Sequence, residues 1–91
     1  MSALTVNIDH TLGLDEARSR LHVVQEKLTQ RFEAQCHWNG NRLVITHQSL
    51  NGHIDVTANA LNIQATLSFP LSLMKGKLEQ ELKRLVSDTF S

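Results

Sequence analysis

Between Leu61 and Val86 the hydrophobic pattern of the chain changes period, and that change restricts its fold more than any other feature. From Leu61 to Phe69 apolar and polar residues alternate. Leu61, Ile63, Ala65, Leu67 and Phe69 fall on one face, and Asn62, Gln64, Thr66 and Ser68 on the other. Alternation of this kind marks a half-buried β-strand. From Leu71 the spacing lengthens: Leu71, Met74, Leu78, Leu82 and Leu85 form the apolar stripe of an amphipathic helix. The switch falls at Pro70, a residue suited to a helix start because the N–H it lacks has no helical partner there. A one-faced strand followed by a one-striped helix has to bury both surfaces in a layered structure.

The upstream chain supplies matching parts. Leu4, Val6 and Ile8 alternate with Thr5, Asn7 and Asp9, which predicts a first strand, and His10 continues its inward parity. Thr11-Leu12-Gly13 forms the turn out of it. A long helix is expected over Leu14 to Gln35, with Asp15 and Glu16 at the positive end of its dipole. Its stripe is Leu14, Ala17, Leu21, Val24, Leu28 and Phe32. Arg18, Gln25 and Thr29 lie towards the flank, and Arg20 falls well away from the stripe. Asn39-Gly40 is a strong hairpin signal, and a type I′ turn there opposes Trp38 to Asn41 and Cys36 to Leu43. The next turn is expected near Ser49-Leu50, pairing Leu43 with Val56 and Ile45 with Ile54. A tight turn at Asn59-Ala60 then pairs Val56 with Ile63 and Ile54 with Ala65. Gly76, in the middle of the last helix, is expected to allow close approach to the sheet or to the first helix.

The predicted order is β-α-β-β-β-β-α, an α+β fold: a five-stranded antiparallel sheet in the order 1-5-4-3-2 with both helices on one face. The other face is open and polar, carrying residues such as Thr5, Asn7, His53, Asp55 and Gln64. At 91 residues the chain is read as one domain, 1–91.

Composition narrows the function classes. Nine basic residues balance nine acidic ones, so the chain lacks the positive field of a non-specific nucleic-acid binder. The open face carries no aromatic row for base stacking. No window approaches the ~20 apolar residues of a membrane-spanning helix. The N-terminus has no basic region followed by an apolar run, which argues against a signal peptide. The single cysteine, Cys36, excludes an internal disulfide. A cytoplasmic location is expected.

Candidate chemistry is sparse. His37, His47 and His53 sit on three consecutive strands, but parity sends His47 to one face and the other two to the opposite face, with a strand between them. Metal ligands must converge, and these do not, so no metal site is assigned. Cys36 and His37 are adjacent on a strand and point to opposite faces, which reads as an inert thiol rather than a nucleophile–base pair. No convergent catalytic set and no cofactor motif is visible. Trp38 either closes the edge of the core or forms the rim of a pocket beneath the first helix. Most of the space between that helix and the sheet is expected to be filled by core.

The order of several short motifs then resembles a known family. His10-Thr11-Leu12-Gly13-Leu14-Asp15-Glu16-Ala17-Arg18, Trp38-Asn39-Gly40, Gly52-His53-Ile54-Asp55-Val56 and Leu67-Ser68-Phe69-Pro70-Leu71 through Met74-Lys75-Gly76-Lys77-Leu78-Glu79 are similar to the signatures of the polyhydroxyalkanoic acid system proteins, a small bacterial family. The match spans nearly the whole chain. The resemblance implies an association with polyhydroxyalkanoate synthesis and granules and brings no catalytic residues. Gly13, Gly40 and Gly52 have backbone reasons to occupy motif positions, and Ala17 and Trp38 have packing reasons. His10 and Arg18 have none that the sequence supplies, and they are assigned to a polar corner where the first strand meets the first helix.

The reading that follows is a non-enzymatic accessory protein of the polyhydroxyalkanoate system, cytoplasmic or granule-associated, acting through contacts with a protein partner or a granule surface. A homodimer through an uncovered edge strand or the outer helix surface is compatible with it. The alternative is a binder of a small, lipid-like apolar ligand, held between the long helix and the sheet.

Overall fold

Each period-two stretch forms a strand, and both stretches of helical period are helical. The computed structural model describes residues 2–90. The elements are β1 (Ser2–Asp9), α1 (Leu14–Phe32), β2 (Gln35–Asn39), β3 (Arg42–His47), β4 (Leu50–Val56), β5 (Ala60–Leu67), a 3₁₀ turn (Leu71–Met74) and α2 (Lys75–Phe90). The strands form one antiparallel sheet in the predicted order β1-β5-β4-β3-β2. α2 packs over β1, and α1 over β2 and β4, so both cover the same face. A single cluster joins the inner strand residues, among them Leu4, Val6, Leu43, Ile54, Leu61 and Ile63, to Ala17, Leu21, Val24 and Leu28 of α1 and Val86 and Phe90 of α2.

The facing of every strand is as expected, but the three hairpins are each displaced by two residues. Trp38 opposes Leu43 and Cys36 opposes Ile45, because the two-residue turn is Gly40-Asn41 rather than Asn39-Gly40. Only Gly40 of that pair has positive φ, at 62°, which fits a type II′ turn with glycine at the first central position. Leu43 then pairs with Ile54, and Ile54 with Ile63. The β3–β4 turn is Gln48-Ser49, where the Ser49 N–H donates to His47 Nδ1 at 3.1 Å. The β4–β5 loop closes on Thr57, whose Oγ1 accepts the Ala60 N–H at 3.0 Å. A slip of two residues preserves parity, so alternation cannot detect it; the turn chemistry decides it.

The ends of the helices also differ from expectation. α1 stops at Phe32, because Gln35 is needed to pair with Thr46 and β2 begins there. Its nineteen residues span about 28 Å. Glu33 closes the helix in the left-handed region (φ 56°), donating its N–H to the Thr29 carbonyl at 3.1 Å. Gly13 opens the helix at φ 82° and ψ 168°, a conformation essentially restricted to glycine. After β5 the chain turns outward. Phe69 is exposed rather than inward, because β5 ends at Leu67. Pro70 leads into a 3₁₀ turn rather than directly into α2. Gly76 is the second residue of α2, with nothing within 4 Å of where a Cβ would sit, so it mediates no close approach. That role belongs to Gly52. A Cβ there would lie 2.6 Å from the Gln64 carbonyl oxygen and 2.9 Å from the Ala65 Cβ on β5.

Candidate functional site

His10 and Arg18 have separate partners, so the polar corner expected from the sequence is not assembled from these two side chains. His10 is 7% exposed. Its Nδ1 accepts the Leu12 N–H at 3.2 Å, which leaves Nε2 to donate to the Thr57 carbonyl at 3.1 Å. Its ring also packs on Phe90, with centroids 5.6 Å apart. The backbone adds to this junction: His10 N–H donates to Asn59 O, and Gly13 N–H to Ala58 O. His10 thereby ties the β1–α1 turn to the β4–β5 loop and to the end of α2. Both ring nitrogens are engaged, which gives this residue the structural reason that the sequence did not supply.

Arg18 instead lies over the Trp38 ring, 4.8 Å from its centroid, a cation–π contact. His22 packs on the same ring at 5.4 Å, and the Trp38 Nε1–H donates to Gln25 Oε1 at 3.1 Å. Arg18, His22 and Gln25 follow one another at helical spacing along one flank of α1. Trp38 is half-buried beneath them and closes the β2 side of the core. Beside it, burial pushes the Cys36 thiol up from its ordinary pKa of 9.0, opposed by a hydrogen bond with Thr29.

The opening between helices and sheet lies elsewhere. A groove of about 590 Å³ runs between the C-terminal half of α1, α2 and the β3–β4 end of the sheet. Leu28 and Phe32 of α1 face Leu78, Leu82 and Leu85 of α2 across a floor that includes Ile45 and Leu50. Leu71 of the 3₁₀ turn also contributes to its lining. Lys27, Arg31 and Arg84 bring positive charge to it, and Glu81 and Asp88 negative charge. Trp38 is not among its lining residues. Its size is that of a pocket for a small ligand. The stripe of α1 was legible and that of α2 only in part, since Leu78 is buried but Met74 is exposed and Val86 and Phe90 complete the buried face; whether two stripes meet or stand apart depends on helix separation, for which the sequence carries no local signal.

The open face of the sheet is polar, as expected. Arg42 forms a paired contact with Asp55 (Nε–Oδ1 2.7 Å, Nη2–Oδ2 3.3 Å), which holds the guanidinium pKa above its ordinary value. His53 Nε2 lies 3.5 Å from Asp55 Oδ2, and Asn62 bonds Asn7 across the β5–β1 pair. His37 and His53 flank Val44 in register, whereas His47 has the opposite parity and lines the groove. Among the described residues no group of three or more histidine, cysteine or acidic side chains is placed to hold a metal ion. Among the described residues no helix is long and apolar enough to cross a membrane.

A family model described as polyhydroxyalkanoic acid system protein matches residues 4–90. No curated protein and no solved structure gives a match.

Proposed function

Because the chain belongs to the polyhydroxyalkanoic acid system protein family, we propose that it serves that system as a cytoplasmic, non-enzymatic accessory protein, acting through contacts with a protein partner or with the surface of a polymer granule. The observation that carries this reading is the family match over nearly the whole chain. The polar residues are consistent with it. His10 and Trp38 are engaged in holding elements together, and the Arg42–Asp55–His53 group lies spread on the open face of the sheet. The test is affinity capture of the tagged chain, with granule fractionation, from polymer-producing and non-producing cells. Enrichment with granules, or capture of partners specific to producing cells, is expected. Identical partners in both cell types without granule enrichment would overturn the proposal.

The groove favours a second reading, the binding of one apolar ligand between α1, α2 and the sheet. A lining rich in leucine, edged by charged side chains, suits a short acyl chain with a polar head. Displacement of a fluorescent fatty acid by decanoate, abolished by the groove-filling substitution Leu82→Trp in a folded variant, is the outcome this reading requires. Displacement unchanged in that variant would exclude the groove.

A further inference from the structure

Four large hydrophobic side chains are exposed among the described residues, and three of them belong to one short turn: Phe69 and Leu73, each 76% exposed, and Met74, 43% exposed. This turn is held in place. Ser68 N–H donates to the Ser49 carbonyl at 2.9 Å, Ser72 N–H to Ser68 O at 3.1 Å, and Leu73 N–H to Pro70 O at 3.2 Å. The Ser49 hydroxyl lies 3.5 Å from the Phe69 carbonyl. Apolar side chains on an anchored turn are presented to solvent persistently, at a steady cost in hydration that a monomer without a use for them would not carry.

The charge along the adjoining chain indicates what covers them. Between Asp55 and Glu79 the chain has no acidic residue, and its only charged residues there are Lys75 and Lys77, both exposed and directly following the turn. Three protruding side chains also fall short of the ~800 Å² that each partner contributes to a stable protein interface. A small apolar tip with lysines at its base matches the chemistry of interfacial insertion, in which apolar side chains enter the acyl layer and cations meet anionic head groups.

We propose that the turn from Phe69 to Met74 is an insertion tip by which the protein docks on an anionic lipid surface, with Phe69, Leu73 and Met74 entering it and Lys75 and Lys77 contacting its charge. This deepens the granule-surface reading above and rests on it for its biological setting. The test is co-sedimentation of the full chain with vesicles of equimolar phosphatidylglycerol and phosphatidylcholine, and with vesicles of phosphatidylcholine alone. The wild type is expected to sediment with the anionic vesicles and to be released by salt. The double variant Phe69→Ser/Leu73→Ser should lose about tenfold or more in binding, and Lys75→Glu/Lys77→Glu should lose the preference for anionic vesicles. All four positions are exposed, so an unchanged thermal midpoint shows that the fold survives. Equal vesicle binding by the Phe69→Ser/Leu73→Ser variant overturns the proposal. So does an absence of binding of the wild type to the anionic vesicles; self-association of the wild type that this variant abolishes would then make the tip a contact between copies. Vesicle binding without granule enrichment in cells would leave the tip standing and remove the granule reading.

Discussion

At the scale of single residues, His10 shows how a side chain without visible purpose in the sequence acquires one in the fold. Its two ring nitrogens bond backbone groups of two different loops, and its ring covers Phe90. Replacing it with alanine leaves the Thr57 carbonyl and the Leu12 N–H without those partners. The His10→Ala variant should lose about 2 kcal/mol in chemical denaturation. If His10 served only a ligand, the midpoint would not move. Cys36 carries a pH signature. Its folded pKa is raised, so the unfolded thiol ionises first as pH climbs. The thiol therefore costs the native state nothing below about pH 9 and destabilises it progressively above that, until the native thiol ionises as well. Thermal midpoints followed from about pH 8 to about pH 10.5 should fall further for the wild type than for Cys36→Ala.

At the scale of elements, the β4–β5 pair depends on a missing side chain. Gly52 sits opposite Ala65, where a Cβ would lie well inside contact distance of a β5 carbonyl oxygen. A backbone atom cannot swing away as a flexible side chain can. Gly52→Ala should therefore cost about 1–3 kcal/mol, the range of an overpacked core. Gly76→Ala, with open space around it near the start of α2, should be neutral or mildly stabilising by up to about 1 kcal/mol. Urea titration of the two variants side by side separates them. Both glycines fall within motifs that resemble the family's signatures, and sequence alone assigned close approach to Gly76. No residue near Gly76 in the sequence reveals the open space around it, and Ala65, the strand position that Gly52 approaches, lies thirteen residues further along the chain.

At the scale of the whole molecule, α2 returns to the first strand. Phe90 packs on His10, and the Thr89 carbonyl accepts from Arg20 Nη1 at 2.9 Å, so the end of the chain locks α1, β1 and the β4–β5 loop together. Phe90→Ala should cost about 3–5 kcal/mol. Because His10 and Phe90 touch, the double variant should lose less than the sum of the two singles. Strict additivity in that cycle would show that the two residues stabilise separate parts of the fold. The opposite end of the molecule is the less closed one. There α1, α2 and the β3–β4 turn border the groove, and the Phe69–Met74 turn projects from the same region through Leu71.

The sequence by itself determined the element types, the inward face of each strand, the stripe of α1 and the consecutive pairing of β2 to β5. All of these follow from periodicity, from parity and from the need to bury one face of every element. Only the tertiary structure decided the registers, because slips of two residues leave parity unchanged. It also decided the partners of His10, Arg18 and Trp38 and the place of the groove, because each depends on how far apart elements distant in the chain come to lie. Phe69 marks the boundary between the two. Its alternation is perfect, yet the strand ends two residues before it, and the last apolar residue of the pattern points to solvent.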